Sequence, residues 1–177
     1  MREVLTSGGN SAGCQWKTPG GKILQVLHHT KTDTWSQGSI ACGNVSNNAI
    51  QLDITPSSSS SKVLVTVSVM ISFNSDANRV GAVLRRGGTE LGVGDADGNR
   101  QQVTASTVGD NDTAVLGCVA FTYLDSPNTT SAITYGVGLS HGSGSAKTMY
   151  LNRGGSDNNN CYRFRSGSHI TLQEISG

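Results

Sequence analysis

From Lys62 the chain reads KVLVTVSVMISF, and Val63, Val65, Val67, Val69, Ile71 and Phe73 fall on one side of an extended strand while Thr66, Ser68 and Ser72 fall on the other. A helix would scatter those apolar residues around its axis, so the segment is a long β-strand with one buried face. That commits the chain to a sheet which a second layer must cover. Upstream, AIQLDIT (49–55) alternates in the same way, and Pro56 ends its ladder because proline has no N–H to donate. The five serines between the two strands, 57–61, read as a solvated, flexible spacer of low strand and helix propensity.

The rhythm continues along the chain. GKILQVLHHTKT (21–32) is a first strand, followed by a loop-like stretch around Trp35 that runs to Asn48. RVGAVLRR (79–86), a Gly87-Gly88 turn and TELGVG (89–94) predict a hairpin. RQQVTASTV, TAVLGCVAFTYL, SAITYGVGLS, AKTMYLNR and HITLQEIS follow, each bounded by turn-forming residues, and no segment sustains a helical period. About ten short strands predict an all-β fold, an antiparallel β-sandwich of jelly-roll type. Residues 1–20 are Gly-rich and polar, and read as an extended N-terminal arm or attachment segment; 21–177 form the sandwich domain.

Composition limits the function classes. The 177 residues suffice for one domain with a sizeable core. Only 14% are charged and the formal net charge is +1, so no broad field points to nucleic acid or an anionic membrane. No apolar run approaches the ~18 residues of a membrane span, and MREVLTSGGNSAG lacks the apolar core of a signal peptide, so the expected place of synthesis is a cytoplasm. Cys14, Cys42, Cys118 and Cys161 are scattered without metal-ligand spacing and are expected to be reduced. Cys118, inside an apolar run, reads as core.

Candidate chemistry is sparse. Asp95, Asp97 and Asn99 resemble the first half of a calcium loop, but the later bidentate Glu and the flanking helices are missing, and turns explain them as well. Asp110 and Asp112 form a similar pair, with nothing to mark a glycosidase. Ser140-His141-Gly142-Ser143-Gly144 lacks the strand-to-helix context of a nucleophile elbow. His28 and His29 point to opposite faces of their strand, so they cannot readily share a metal. No nucleotide-binding loop is present, and neither catalytic residue nor cofactor is expected. Glu174 shares a face with Ile170 and Leu172 and so needs a partner, within the core or across a subunit boundary.

Two features point to interfaces. The segment from Val115 to Leu124 is apolar on both faces, with Val119, Phe121 and Tyr123 on one and Leu116, Cys118, Ala120 and Leu124 on the other; such a strand is central or is covered by another subunit. Arg85, Arg86, Arg153, Arg163 and Arg165, with Tyr150, Tyr162 and Phe164 near in sequence, suit a protein interface or a glycan patch. Trp35, Tyr162, Arg163 and Arg165 are the candidate interface or ligand residues.

GKILQVLHHTKTDTWS, ITPSSSSSKVLV, LRRGGTELGVGDADGNR, FTYLDSPNTTSAITYGVGLS, YLNRGG and HITLQEISG occur in this order over 21–177. Together they resemble a family of small phage virion proteins and tail-fibre-tip domains, notably forms common in marine and cyanobacterial phages. The resemblance implies a β-sandwich subunit, trimeric, acting as a capsid decoration or knob protein or at a fibre tip. Its implied partners are copies of itself, other virion proteins and, for a fibre tip, host-surface glycan. Neither nucleic-acid binding nor membrane insertion is implied, and the implied location is the virion, assembled in the host cytoplasm.

Overall fold

The alternating segment forms the axis of the molecule. The computed structural model describes residues 4–6, 15–17, 22–74, 79–108 and 113–177, and among these there is no helix. The described strands are β1 (Val4–Thr6), β2 (Gln15–Lys17), β3 (Ile23–Lys31), β4 (Trp35–Ile40), β5 (Asn48–Ile54), β6 (Lys62–Phe73) and β7 (Arg79–Arg86). They continue as β8 (Thr89–Leu91), β9 (Ala105–Val108), β10 (Gly117–Asp125), β11 (Ile133–His141), β12 (Lys147–Leu151) and β13 (Ser168–Ile175). β1 pairs with β2.

β6 is the longest strand and organises the first sheet. One edge pairs with β10, from Gly117↔Ile71 to Asp125↔Val63. The other edge pairs first with β13 and then with β12, which carry β3 and β4 on their far sides. The second sheet runs β5-β11-β7, with β8 and β9 sharing the far edge of β7. The pairs are nested: β3 with β13, β4 with β12, β5 with β11, β6 with β10, and β7 with β8 and β9. This is one long hairpin rolled up, so that β13 comes to lie beside β6 and β11 beside β7. The protein is therefore an antiparallel β-sandwich with jelly-roll order.

The core lies between the sheets. The six apolar residues of β6 meet Ile170, Leu172, Met149 and Leu151 on their own sheet, and Ile50, Ile54, Val80, Leu84, Val137 and Leu139 from the other. Burial of each such side chain contributes roughly 1.5–3 kcal/mol, which makes the alternation of β6 the main constraint on register. Where β13 gives way to β12 along β6, side chains replace the ladder. The Met70 N–H donates to Ser168 Oγ at 3.0 Å, and Ser168 Oγ donates to Asn152 Oδ1 at 2.6 Å. The Asn152 N–H donates to the Met70 carbonyl at 2.9 Å. Its Nδ2 donates to the carbonyls of Lys31 and Asp33 at 2.8 and 2.9 Å. Asn152 holds a left-handed φ of 65°, which asparagine tolerates better than most residues.

Three expectations need correction. Trp35 does not sit in a loop: it opens β4, pairs with Leu151 and packs half-buried against the core. Cys118 is exposed, because it lies on the outward side of β10. Of the two alternatives for the segment 115–124 the central one is removed, since among the described residues β10 pairs with β6 alone. The serine tract is not a free spacer. Pro56 and Ser61 are buried, Ser61 N–H donates to the Ser58 carbonyl at 3.1 Å, and Ser57 is tied to the last strand. The tract has no periodic apolar residue to reveal this, because its partner is a carboxylate 117 residues away.

Candidate functional site

Every second residue of the first sheet points away from the core, and across β3, β13, β6 and β10 those residues form aligned rows. Val26, Gln173, Leu64 and Leu124 make one row, His28, Thr171, Thr66 and Thr122 the next, and Thr30, His169, Ser68 and Ala120 a third. None carries a carboxylate, ammonium or guanidinium group. Lys62 stands at one end of β6, beyond the rows. Val26 is 55% exposed and Leu124 48% exposed, so the face is open. At its centre the rings of His28 and His169 stack with centroids 5.7 Å apart. Thr30 and Thr171 hydrogen-bond to the two ring nitrogens of His28 at 2.9 and 2.8 Å, and Thr30 also reaches His169 Nδ1 at 3.1 Å. Designed soluble surfaces aim for about a quarter to a third charged residues. A flat face with none suits a partner surface better than bulk water.

The outer side of the second sheet differs. A Cβ built on Gly138 would stand 2.6 Å from Val45 and 2.9 Å from the Ser46 carbonyl oxygen, and one on Gly81 would stand 2.6 Å from Val103. The segment 44–48 and the connection between β8 and β9 therefore lie directly on this sheet. Arg85 strengthens the cover by donating to the Ser46 carbonyl at 2.7 Å while pairing with Glu90 at 3.1 Å.

Two buried carboxylates tie the layers together. Asp125 on β10 accepts from Arg86 on β7 at 2.9 and 2.7 Å and from the Tyr135 hydroxyl on β11 at 2.6 Å, which clasps one sheet to the other. Burial, and then the Asp125 carboxylate it donates to, push the Tyr135 phenol far above its ordinary range. Glu174, almost fully buried, accepts from Ser57 N–H and Ser57 Oγ at 2.7 Å each and from Gln25 Nε2 at 2.7 Å. Burial alone would raise its pKa, but the hydrogen bonds led by Ser57 outweigh it and hold the carboxyl at about 2.

The Arg and aromatic candidates separate into three places. Arg153 and Arg165 converge on Asp157 at 3.1 and 2.6 Å, with Arg153 stacked 4.1 Å over the Tyr150 ring. Arg163 lies 5.0 Å from the centroid of Tyr162 in the same connection between β12 and β13, where Tyr162 is 60% and Phe164 68% exposed. Trp35 is held against the core, while Arg85 and Arg86 are engaged at the second sheet.

Beside the ends of β7 and β11 lies a cavity of about 870 Å³, bounded by residues including Cys42, Arg79, Asn99, Arg100, Gln101, Val103, Ser106, Thr107, Ser140 and His141. Among the described residues its lining contains no carboxylate. His141 is spent on structure: Nε2 donates to the Ile40 carbonyl at 2.8 Å and Nδ1 accepts from the Ser143 N–H at 3.2 Å. Ser140 Oγ donates to the Asn44 carbonyl at 3.0 Å, so neither group is poised for nucleophilic chemistry. Asp97 pairs with Arg100 at 2.6 Å beside the left-handed turn at Gly98. Among the described residues no three His, Cys, Asp or Glu side chains gather as metal ligands. Asp110 and Asp112 lie outside the described residues.

The neutral face was missed in the sequence because Thr66, Ser68, Thr122 and Thr171 look like ordinary solvated positions. The available signal was their uniform lack of charge.

No protein-family model matches the chain. No curated protein matches it either. Among solved structures, that of the infectious bursal disease virus Gx strain aligns over 98% of this chain and 44% of its own, at 10% identity and TM-score 0.43. The VP2 subviral particle of infectious bursal disease virus aligns over 98% and 44%, at 10% identity and TM-score 0.40. T=1 particles derived from that virus align over 98% and 42%, at 11% identity and TM-score 0.41. The chain thus spans less than half the length of these structures. Its fold class rests on its own strand pairing.

Proposed function

We propose that the protein is a phage virion structural subunit that works by packing, as a capsid decoration or cement protein or a knob. The observation that carries this reading is the open outer face of the first sheet, whose aligned rows hold no carboxylate, ammonium or guanidinium group, in a chain whose other sheet is covered by its own loops. The resemblance of its motif order to that of small phage virion proteins agrees with it. Such a subunit adds interface area to an assembly and stabilises it by mass action, without chemistry. The test is the copy number of the chain in purified particles, by quantitative mass spectrometry against the major capsid protein. Hundreds per particle are expected for a decoration protein; complete absence from particles overturns the role.

A second reading, a receptor-binding module for host-surface glycan, is favoured by the exposed Tyr162 and Phe164 beside the half-buried Arg163, and by the cavity beside Arg79. A few to a few tens of copies per particle, with binding to host cells lost in Tyr162→Ala, would select it.

A further inference from the structure

We propose that β10 and the neutral face beside it form the contact between copies of this chain, and that the edge of β10 which pairs with no described strand takes backbone hydrogen bonds from the second copy. Soluble proteins guard exposed strand edges by shortness, bulges, charge or proline. The other edge strands follow this rule. The ladders of β3, β4 and β5 are each interrupted by a register shift, and β8 and β9 have only three and four residues. β10 has nine residues, pairs with β6 through an unshifted ladder, and contains neither lysine, arginine nor proline. Its only charged residue, Asp125, is buried in the clasp with Arg86 and Tyr135.

The occupant follows from charge and area. A face without carboxylate, ammonium or guanidinium groups meets its own copy with little like-charge repulsion, whereas a strongly charged partner would find few counterparts on it. Four strands ~4.8 Å apart and some seven residues of ~3.4 Å rise give roughly 450 Å² of flat face. A stable interface takes about 800 Å² per partner, so the face needs the adjoining edge as well. β10 is that edge, and Ala120 and Thr122 belong to both.

The inference rests on the assembling role proposed above but is tested on the isolated 177-residue chain. Its absence from particles would sink the virion role and leave this contact standing. Analytical ultracentrifugation at tens of micromolar is expected to show a discrete oligomer. Hydrogen exchange should protect all β10 amides, including the alternate ones that β6 does not bind. Ala120→Lys with Thr122→Lys should weaken association at least ~100-fold, while Thr89→Lys on the opposite sheet leaves it unchanged; equal melting temperatures would show that both variants fold. A monomeric wild-type chain overturns the proposal, as does an oligomer that the double variant leaves intact. Fast exchange of the edge amides within the wild-type oligomer overturns the strand pairing.

Discussion

The two sheets of this sandwich treat their outer faces in opposite ways. The second sheet is sealed by its own chain: Val45 sits over Gly138, Val103 over Gly81, and Arg85 bonds across to Ser46. Among the described residues no loop covers the middle of the first sheet, which offers rows of Thr, Ser, His and small apolar side chains. Small residues on one face permit close cover, while neutral residues on the other permit a partner. The contrast shows that an open face here is a choice of sequence, since the same chain covers a face when its residues leave room.

The clasp between the sheets gives the largest effect with which to break this comparison. Asp125→Ala strands the Arg86 charge and the Tyr135 hydroxyl between the layers, and is expected to cost about 3–5 kcal/mol in urea unfolding. Gly138→Val attacks the sealed face, where Val45 and the Ser46 backbone cannot both retreat, and should cost about 3 kcal/mol. A comparable enlargement on the open face, Ala120→Val, should change stability by less than about 0.5 kcal/mol. If the two cost the same, the faces are not different in cover.

An intermediate effect belongs to the serine tract. The Glu174 carboxyl titrates at about 2 in the folded chain against an ordinary 4.5, so between these values the unfolded state binds more protons. Its contribution is fully present above pH 4.5 and is lost as pH falls towards 2. Glu174→Gln should therefore cost about 1.5–3 kcal/mol at neutral pH, through weakened hydrogen bonds to Ser57 and Gln25. It should also flatten the acid limb of the stability curve. An unchanged acid limb would show that another group dominates there.

Much of the fold was legible before any coordinates. The alternation of β6, β5 and β13 named their buried faces, and the Gly87-Gly88 turn named the β7–β8 hairpin. Trp35 was misread because β4 is short and polar and exists by pairing with β12, far along the chain. Cys118 was misread because an apolar run on an edge strand looks like one in the centre. The candidate surfaces were legible only in part: the Arg and Tyr residues were visible, but their division among a salt-bridged loop, the core and the second sheet was not.

By itself the sequence determined which residues form strands and which side of each strand is buried, because a period of two is a local property of neighbouring residues. Only the tertiary structure decided which strand lies along each edge, which carboxylate the serines hold, and which face is left open. Those depend on pairings between residues distant in the chain, whose energies appear only when the hairpin has rolled up.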